Sequence, residues 1–174
     1  MENVFGSKTE SISPGALNSA NMKVISSGID NLKAKLNDVI IQHNYSKSVS
    51  LEENERGITI HILENILFPS GKADINNTSK LVLGELATIL RELPNDIRVE
   101  GHTDNIPISS GLYPSNWHLS VARALSTAYF LINDQKLNPE KVTVVGYAEY
   151  NPIAENTTLE GRAKNRRVDI VIIK

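Results

Sequence analysis

Residues 98–130 read RVEGHTDNIPISSGLYPSNWHLSVARALSTAYF. The stretch opens as a strand, since Ile97-Arg98-Val99-Glu100 alternates apolar and polar side chains. It closes as a helix, with Leu119, Ala122, Leu125, Tyr129 and Ile132 recurring at helical steps and the pattern ending near Asn133. The next apolar run, Lys141-Val142-Thr143-Val144-Val145-Gly146, is again a strand. Strand, helix, strand is a crossover unit, and the rest of the chain extends it in both directions.

Upstream, Ser79 to Leu93 carries Val82, Leu86 and Leu90 at helical steps, and Leu93-Pro94-Asn95 stops it. Before that helix, Phe68-Pro69-Ser70-Gly71-Lys72 reads as a loop, and Gly57-Ile58-Thr59-Ile60-His61-Ile62 alternates as a strand. Residues 44–57 are polar and predict no strand. Downstream, Thr157-Thr158-Leu159-Glu160 reads as a capping box that opens a short helix. Val168-Asp169-Ile170-Val171-Ile172-Ile173 is a final strand. The order predicts an α/β (α+β) sandwich, one mixed sheet with helices packed on one face.

Nearer the start, Ile25, Ile29, Leu32, Leu36 and Val39 form a narrow apolar stripe on a helix beginning at Asn21. Its spacing fits a coiled-coil seam of barely two heptads or packing against the chain's own domain. The head of the chain is rich in Ser, Gly, Asn and Thr. The expected organisation is therefore a flexible linker over 1–20, a linker helix and connection over 21–56, and a folded domain over 57–174.

A length of 174 residues suits one domain with an appended segment, and 40% hydrophobic residues can supply a core. The formal net charge of -2 gives no basic face for nucleic acid. The chain has no Cys, which excludes a disulfide, a thiolate zinc site and a thiol nucleophile. No run approaches the roughly 18–20 apolar residues that span a bilayer, so the chain as given is expected to be soluble, whole or as a fragment of a longer protein.

Asp104 follows the second strand directly, where ligand groups gather in α/β sheets. Asn116, Ser120 and Arg123 are spaced i, i+4, i+7, so they project from one helix face, and Ser115 or Asn116 is the expected N-cap. Asp104 and Arg123 can thus share one rim. They suit a zwitterion, ammonium to Asp104 and carboxylate to Arg123, but spacing alone favours a salt bridge to each other. In Asn165-Arg166-Arg167-Val168, alternation sends the two arginines different ways, so only one can join that rim. His102 and Asp104 would face the same side, yet no third metal ligand lies at a tight spacing, and no metal is expected. Ser110 or Ser120 with a His lacks any nucleophile frame. Asp104 with Glu100 is a conceivable carboxylate pair, although Glu100 sits mid-strand. Asn44-Tyr45-Ser46 and Asn156-Thr157-Thr158 match the short glycosylation pattern.

VEGHTDN, NWHLSVARA and EGRAKNRRVDI fall in that order, and together they closely resemble the OmpA-like peptidoglycan-binding domain over residues 57–174. The long loop NIPISSGLYPSNWHLS and the segment LFPSGKADI are similar to the flagellar motor stator branch of that family, the MotB proteins. The resemblance implies a βαβαβ(αβ) fold. It also implies non-catalytic, cofactor-free binding of the diaminopimelate of a peptidoglycan stem peptide. On the matching positions, Asp104 would hold the ammonium and Arg123 a carboxylate. Asn116, Arg166, Thr103 and Leu119 would complete the pocket. It further implies a homodimer on the periplasmic or wall-facing side of the cytoplasmic membrane. A MotA-like channel subunit would then be engaged through a transmembrane helix that this sequence does not contain.

Overall fold

The computed structural model describes residues 19–108 and 110–174, with side chains described from Gly28 onward. The expected linker over 1–20 lies outside the described residues except for Ser19 and Ala20, which open helix α1 (Ser19–Gln42). The chain divides into two units, Met1–Leu32 and Lys33–Lys174. In the first, residues 19–32 are helical. In the second, the remainder of α1 buries Leu36 and Ile40 in the core, and Lys33 Nζ reaches Glu53 at 3.0 Å. Over these last turns the apolar stripe packs on the chain's own domain. Among the described residues, no helix is long and apolar enough to cross a membrane.

Five strands form one mixed sheet in the order β1-β2-β5-β3-β4. They are β1 (Val49–Asn54), β2 (Gly57–Leu63), β3 (Ile97–His102), β4 (Val142–Gly146) and β5 (Arg167–Ile173). Strand β1 corrects the reading of residues 44–57 as strand-free. It turns into β2 through Glu55-Arg56 and pairs with it antiparallel from Val49↔Ile62 to Asn54↔Gly57. Its sequence, VSLEEN, holds only two apolar residues, because a sheet-edge strand needs little burial to be held by its neighbour's hydrogen bonds. β5 runs antiparallel to both β2 and β3, and β3 runs parallel to β4. Hence β2, β3 and β4 all end at the same edge of the sheet, and β5 starts there.

Alternation along the strands splits the two faces cleanly. Ile58, Ile60, Ile62, Ile97, Val99, Val168, Ile170 and Ile172 form the apolar face, all buried. The helices are α2 (Glu64–Leu67), α3 (Asn77–Arg91), α4 (Asn116–Asn133) and α5 (Leu159–Asn165). α3 starts two residues upstream of the expected Ser79 and is capped by Asn76, whose side chain accepts from Ser79 N at 2.8 Å. α4 lies over β3 and β4. A Cβ on Gly101 would collide with the Ser120 carbonyl, and one on Gly146 with the Val121 side chain, so these glycines let the α4 backbone and side chains lie directly on the sheet backbone. The expected capping box at Thr157 and Glu160 is not formed. Thr158 is the N-cap, bonded to Gly161 N at 2.9 Å, and Glu160 instead pairs with Lys164 at 3.0 Å. Glycine at the third helical position leaves no side chain to return the bond.

Candidate functional site

The shared edge of β2, β3 and β5 delivers charged residues to one place. Glu64 follows β2, Asp104 follows β3, and Arg166 precedes β5. α4 crosses above them and contributes Arg123. These side chains line a cavity of about 780 Å³ that Thr103, Asn116, Leu119 and Phe68 also line. The cavity therefore gathers all the site residues expected from the sequence.

Asp104 and Arg123 do not bond to each other. Asp104 Oδ2 accepts from Arg166 Nη1 at 2.7 Å, and its Oδ1 accepts from Ile106 N at 3.0 Å. Arg166 Nε lies 3.0 Å from Glu64 Oε2, and Glu64 Oε1 accepts from Arg123 Nη2 at 2.7 Å. The charges alternate along a chain: Asp104, Arg166, Glu64, Arg123. Arg123 is 2% exposed, with its Nε donating to the Lys72 carbonyl at 3.0 Å and its guanidinium 5.2 Å from the Phe68 ring centre. Those contacts fix the direction in which its fork points. Arg166 is the most exposed of the four, with its side chain 38% exposed.

The remaining expected residues have distinct tasks. Asn116 opens α4 rather than capping it; Ser115 holds the cap position without a side-chain cap bond. The Asn116 amide staples the loop after β3, donating to the Ile106 carbonyl at 3.1 Å and accepting from Ile108 N at 3.2 Å. Thr103 Oγ1 donates to the Asp104 carbonyl at 2.9 Å, and Leu119 is a buried apolar wall. Ser120 shares the helix face with Asn116 and Arg123 but does not line the cavity. Its hydroxyl accepts from Ala148 N at 3.1 Å and ties α4 to the loop after β4. The arginine pair divides as alternation requires: Arg167 turns to the other face, where its Nε donates to Asp169 at 3.0 Å.

That other face carries a separate charged cluster. His102 lies 3.3 Å from Asp169 and 3.7 Å from Glu100, and stacks on Tyr147 with ring centres 5.3 Å apart, so it shares no site with Asp104. Glu100 is likewise buried there, paired with Arg56 at 2.9 Å, which separates it from Asp104 as a carboxylate partner. Glu100, His102 and Asp169 bring ligand-type atoms within 4.8 Å of one another. Both carboxylates are already neutralised by Arg56 and Arg167, so the cluster is charge-balanced by its own arginines. Burial works against a charge on His61, but its 2.7 Å contact with Asp169 and the contact with Glu52 outweigh it and raise its pKa. Burial likewise opposes the Asp169 carboxylate. His102, His61 and Arg167 overcome that and hold it well below the usual carboxylate range.

Residues 67–166 match the OmpA family. This chain belongs to the OmpA family. It is 39% identical over 145 residues to the uncharacterized protein YtxE of Bacillus subtilis (strain 168), covering 83% of this chain and 60% of that one. It is 37% identical over 146 residues to motility protein B of the same organism, covering 83% of this chain and 56% of that one. The chain thus spans less than two thirds of the length of these relatives. Its fold matches the cell wall anchor of the T6SS from Pseudomonas aeruginosa with a TM-score of 0.72 at 33% identity, covering 80% of this chain and 97% of that one.

Within this OmpA-family domain, Glu64 is the charged cavity residue that sequence reading missed. It lies just outside the matched span, in the middle of the segment HILENIL. The signal that singled out Asp104, an acid directly after a strand, applies equally to Glu64. What hid it is that β2 and β3 end at the same edge only because β5 lies between them.

Proposed function

We propose that this OmpA-family domain binds peptidoglycan without catalysis, through a zwitterionic group of the stem peptide, diaminopimelate. The ammonium pairs with Asp104 and the carboxylate with Arg123, while Arg166 keeps Glu64. Thr103, Leu119 and Asn116 shape the walls. The observation that carries the reading is the alternating chain Asp104–Arg166–Glu64–Arg123 along one 780 Å³ cavity. Two acids and two bases give it no net charge, so an ammonium and a carboxylate can replace the Asp104–Arg166 and Glu64–Arg123 contacts while Arg166–Glu64 stays, without leaving any charge unpaired. No cofactor is required.

At the level of the cell, the likeness to motility protein B supports a wall anchor for a flagellar motor stator. In that setting two copies pair, the domain faces the wall outside the cytoplasmic membrane, and a MotA-like subunit is engaged through a membrane helix that this sequence does not contain. The likeness to the T6SS cell wall anchor supports a second reading, wall anchoring outside motility. Co-sedimentation with purified sacculi tests the binding. Asp104→Ala and Arg123→Ala should both abolish pelleting with the fold retained by circular dichroism; unchanged pelleting of both variants sinks the clamp. Loss of swimming, or normal swimming with an envelope defect, in a strain lacking the protein separates the two cellular readings.

A further inference from the structure

Helix α4 contains one Asp, Glu, Lys or Arg, namely Arg123, and that residue is buried on the cavity side. The opposite, solvent-facing side has none. A helix face open to water ordinarily carries charge, and an uncharged one is ordinarily covered. Here Trp117, Val121, Leu125 and Tyr129 follow one another at steps of four along that side, exposed by 49%, 45%, 53% and 65%. Tyr150, 64% exposed, stacks on Trp117 with ring centres 5.4 Å apart and widens the stripe.

We propose that this stripe is the surface on which a second copy of the chain docks. The proposal rests on the pairing of two copies named above and says where it happens. The order of the stripe is aromatic, aliphatic, aliphatic, aromatic. A two-fold axis through its middle therefore sets Val121 against the copy's Leu125 and Trp117 against the copy's Tyr129, like chemistry on like. That is what a self-complementary two-fold contact needs. Ala122 and Ser126, small and half-buried beside the stripe, let the two helices approach. The stripe has no Asp, Glu, Lys or Arg, so the two copies meet without repulsion between fixed charges; the exposed His118 stands at its N-terminal end. At those exposures, and given roughly 150–250 Å² for an aromatic side chain, the five side chains leave on the order of 500 Å² open per copy, more than half of the about 800 Å² per partner in a stable interface. Because the cavity lies on the other side of α4, pairing leaves both cavities open.

The test is sedimentation equilibrium of the 174-residue chain over a range of concentrations, with Leu125→Glu and, as a second charge insertion, Tyr129→Lys. Each should raise the dimer dissociation constant roughly a hundredfold or more, because a charge is buried without a partner. Pelleting with sacculi by the monomeric variants should be unchanged. Since the chain has no Cys, Ala122→Cys gives a single thiol that should cross-link two copies under oxidation or with a short bis-maleimide, while Lys164→Cys should not. A wild-type dimer indifferent to both charge insertions, with no Ala122→Cys cross-link, overturns this surface and leaves the pairing intact. A wild-type chain that stays monomeric throughout overturns both.

Discussion

Glu64 is the residue on which the cavity's electrostatics turn. Its carboxylate bridges the buried Arg123 and the part-exposed Arg166. Glu64→Gln keeps the shape and removes the charge, so Arg123 loses its ionic partner inside the protein. The expected cost is about 2 kcal/mol in unfolding free energy, the Lys72 carbonyl and Phe68 ring limiting the loss. A bound carboxylate would take Glu64's place, so saturating muropeptide should raise the melting temperature of Glu64→Gln by more than that of the wild type; an equal shift would detach Glu64 from ligand binding. On the opposite sheet face, His61 and Asp169 set the pH response. The raised pKa of His61 contributes stability that is complete below its ordinary value of 6.5 and is lost as pH rises through the folded value. The depressed pKa of Asp169 contributes stability present above its ordinary 3.8 and lost as pH falls. Stability in denaturant titrations should therefore be greatest between about pH 4 and 6.5. His61→Asn should remove the decline on the alkaline side and also weaken the acid limb in part, because Asp169 loses one of the partners that hold its carboxylate low while His102 and Arg167 remain. The sequence shows both residues but not their contact, which joins strands 108 positions apart.

At the scale of elements, α4 is held by its fit to the sheet. Gly101→Ala would push a methyl group into the Ser120 carbonyl, and overpacking of this kind costs about 1–3 kcal/mol. The variant should melt lower, and because Ser120 and Asn116 sit on the same helix, wall binding should fall with it. The β3–α4–β4 crossover was legible in the sequence because each element carries its own period, two for the strands and 3.6 for the helix. The end of the crossover was legible to within a residue or two. The edge strand β1 was not, because Ser50 and Glu52 face the polar side and its pairing comes from backbone hydrogen bonds, which have no side-chain signature. The cap of α5 was misplaced by one residue because Thr157 and Thr158 are chemically equivalent, and only the backbone path selects Thr158.

The whole molecule holds its last turns of α1 and its β1 edge as parts of one compact unit from Lys33 onward. A fragment beginning at Lys33 should fold and keep its melting temperature within a few degrees. One beginning at Gly57 should not, since it loses the buried Leu36, Ile40 and Val49 and leaves β2 as a bare edge. Leu36→Ala, measured in the longer fragment, should cost about 2–5 kcal/mol, as expected of a fully buried leucine. Sequence alone determined which segments are strands and helices in the crossover, the family they belong to, and the residue types that a zwitterion would need. Those follow from local periodicity and from motifs a few residues long. Tertiary structure decided the partners. Asp104 pairs with Arg166 rather than Arg123, and Glu64 enters between the arginines. The strand order β1-β2-β5-β3-β4 brings the chain's last strand between two earlier ones, and pairing across such separations is written in no local pattern.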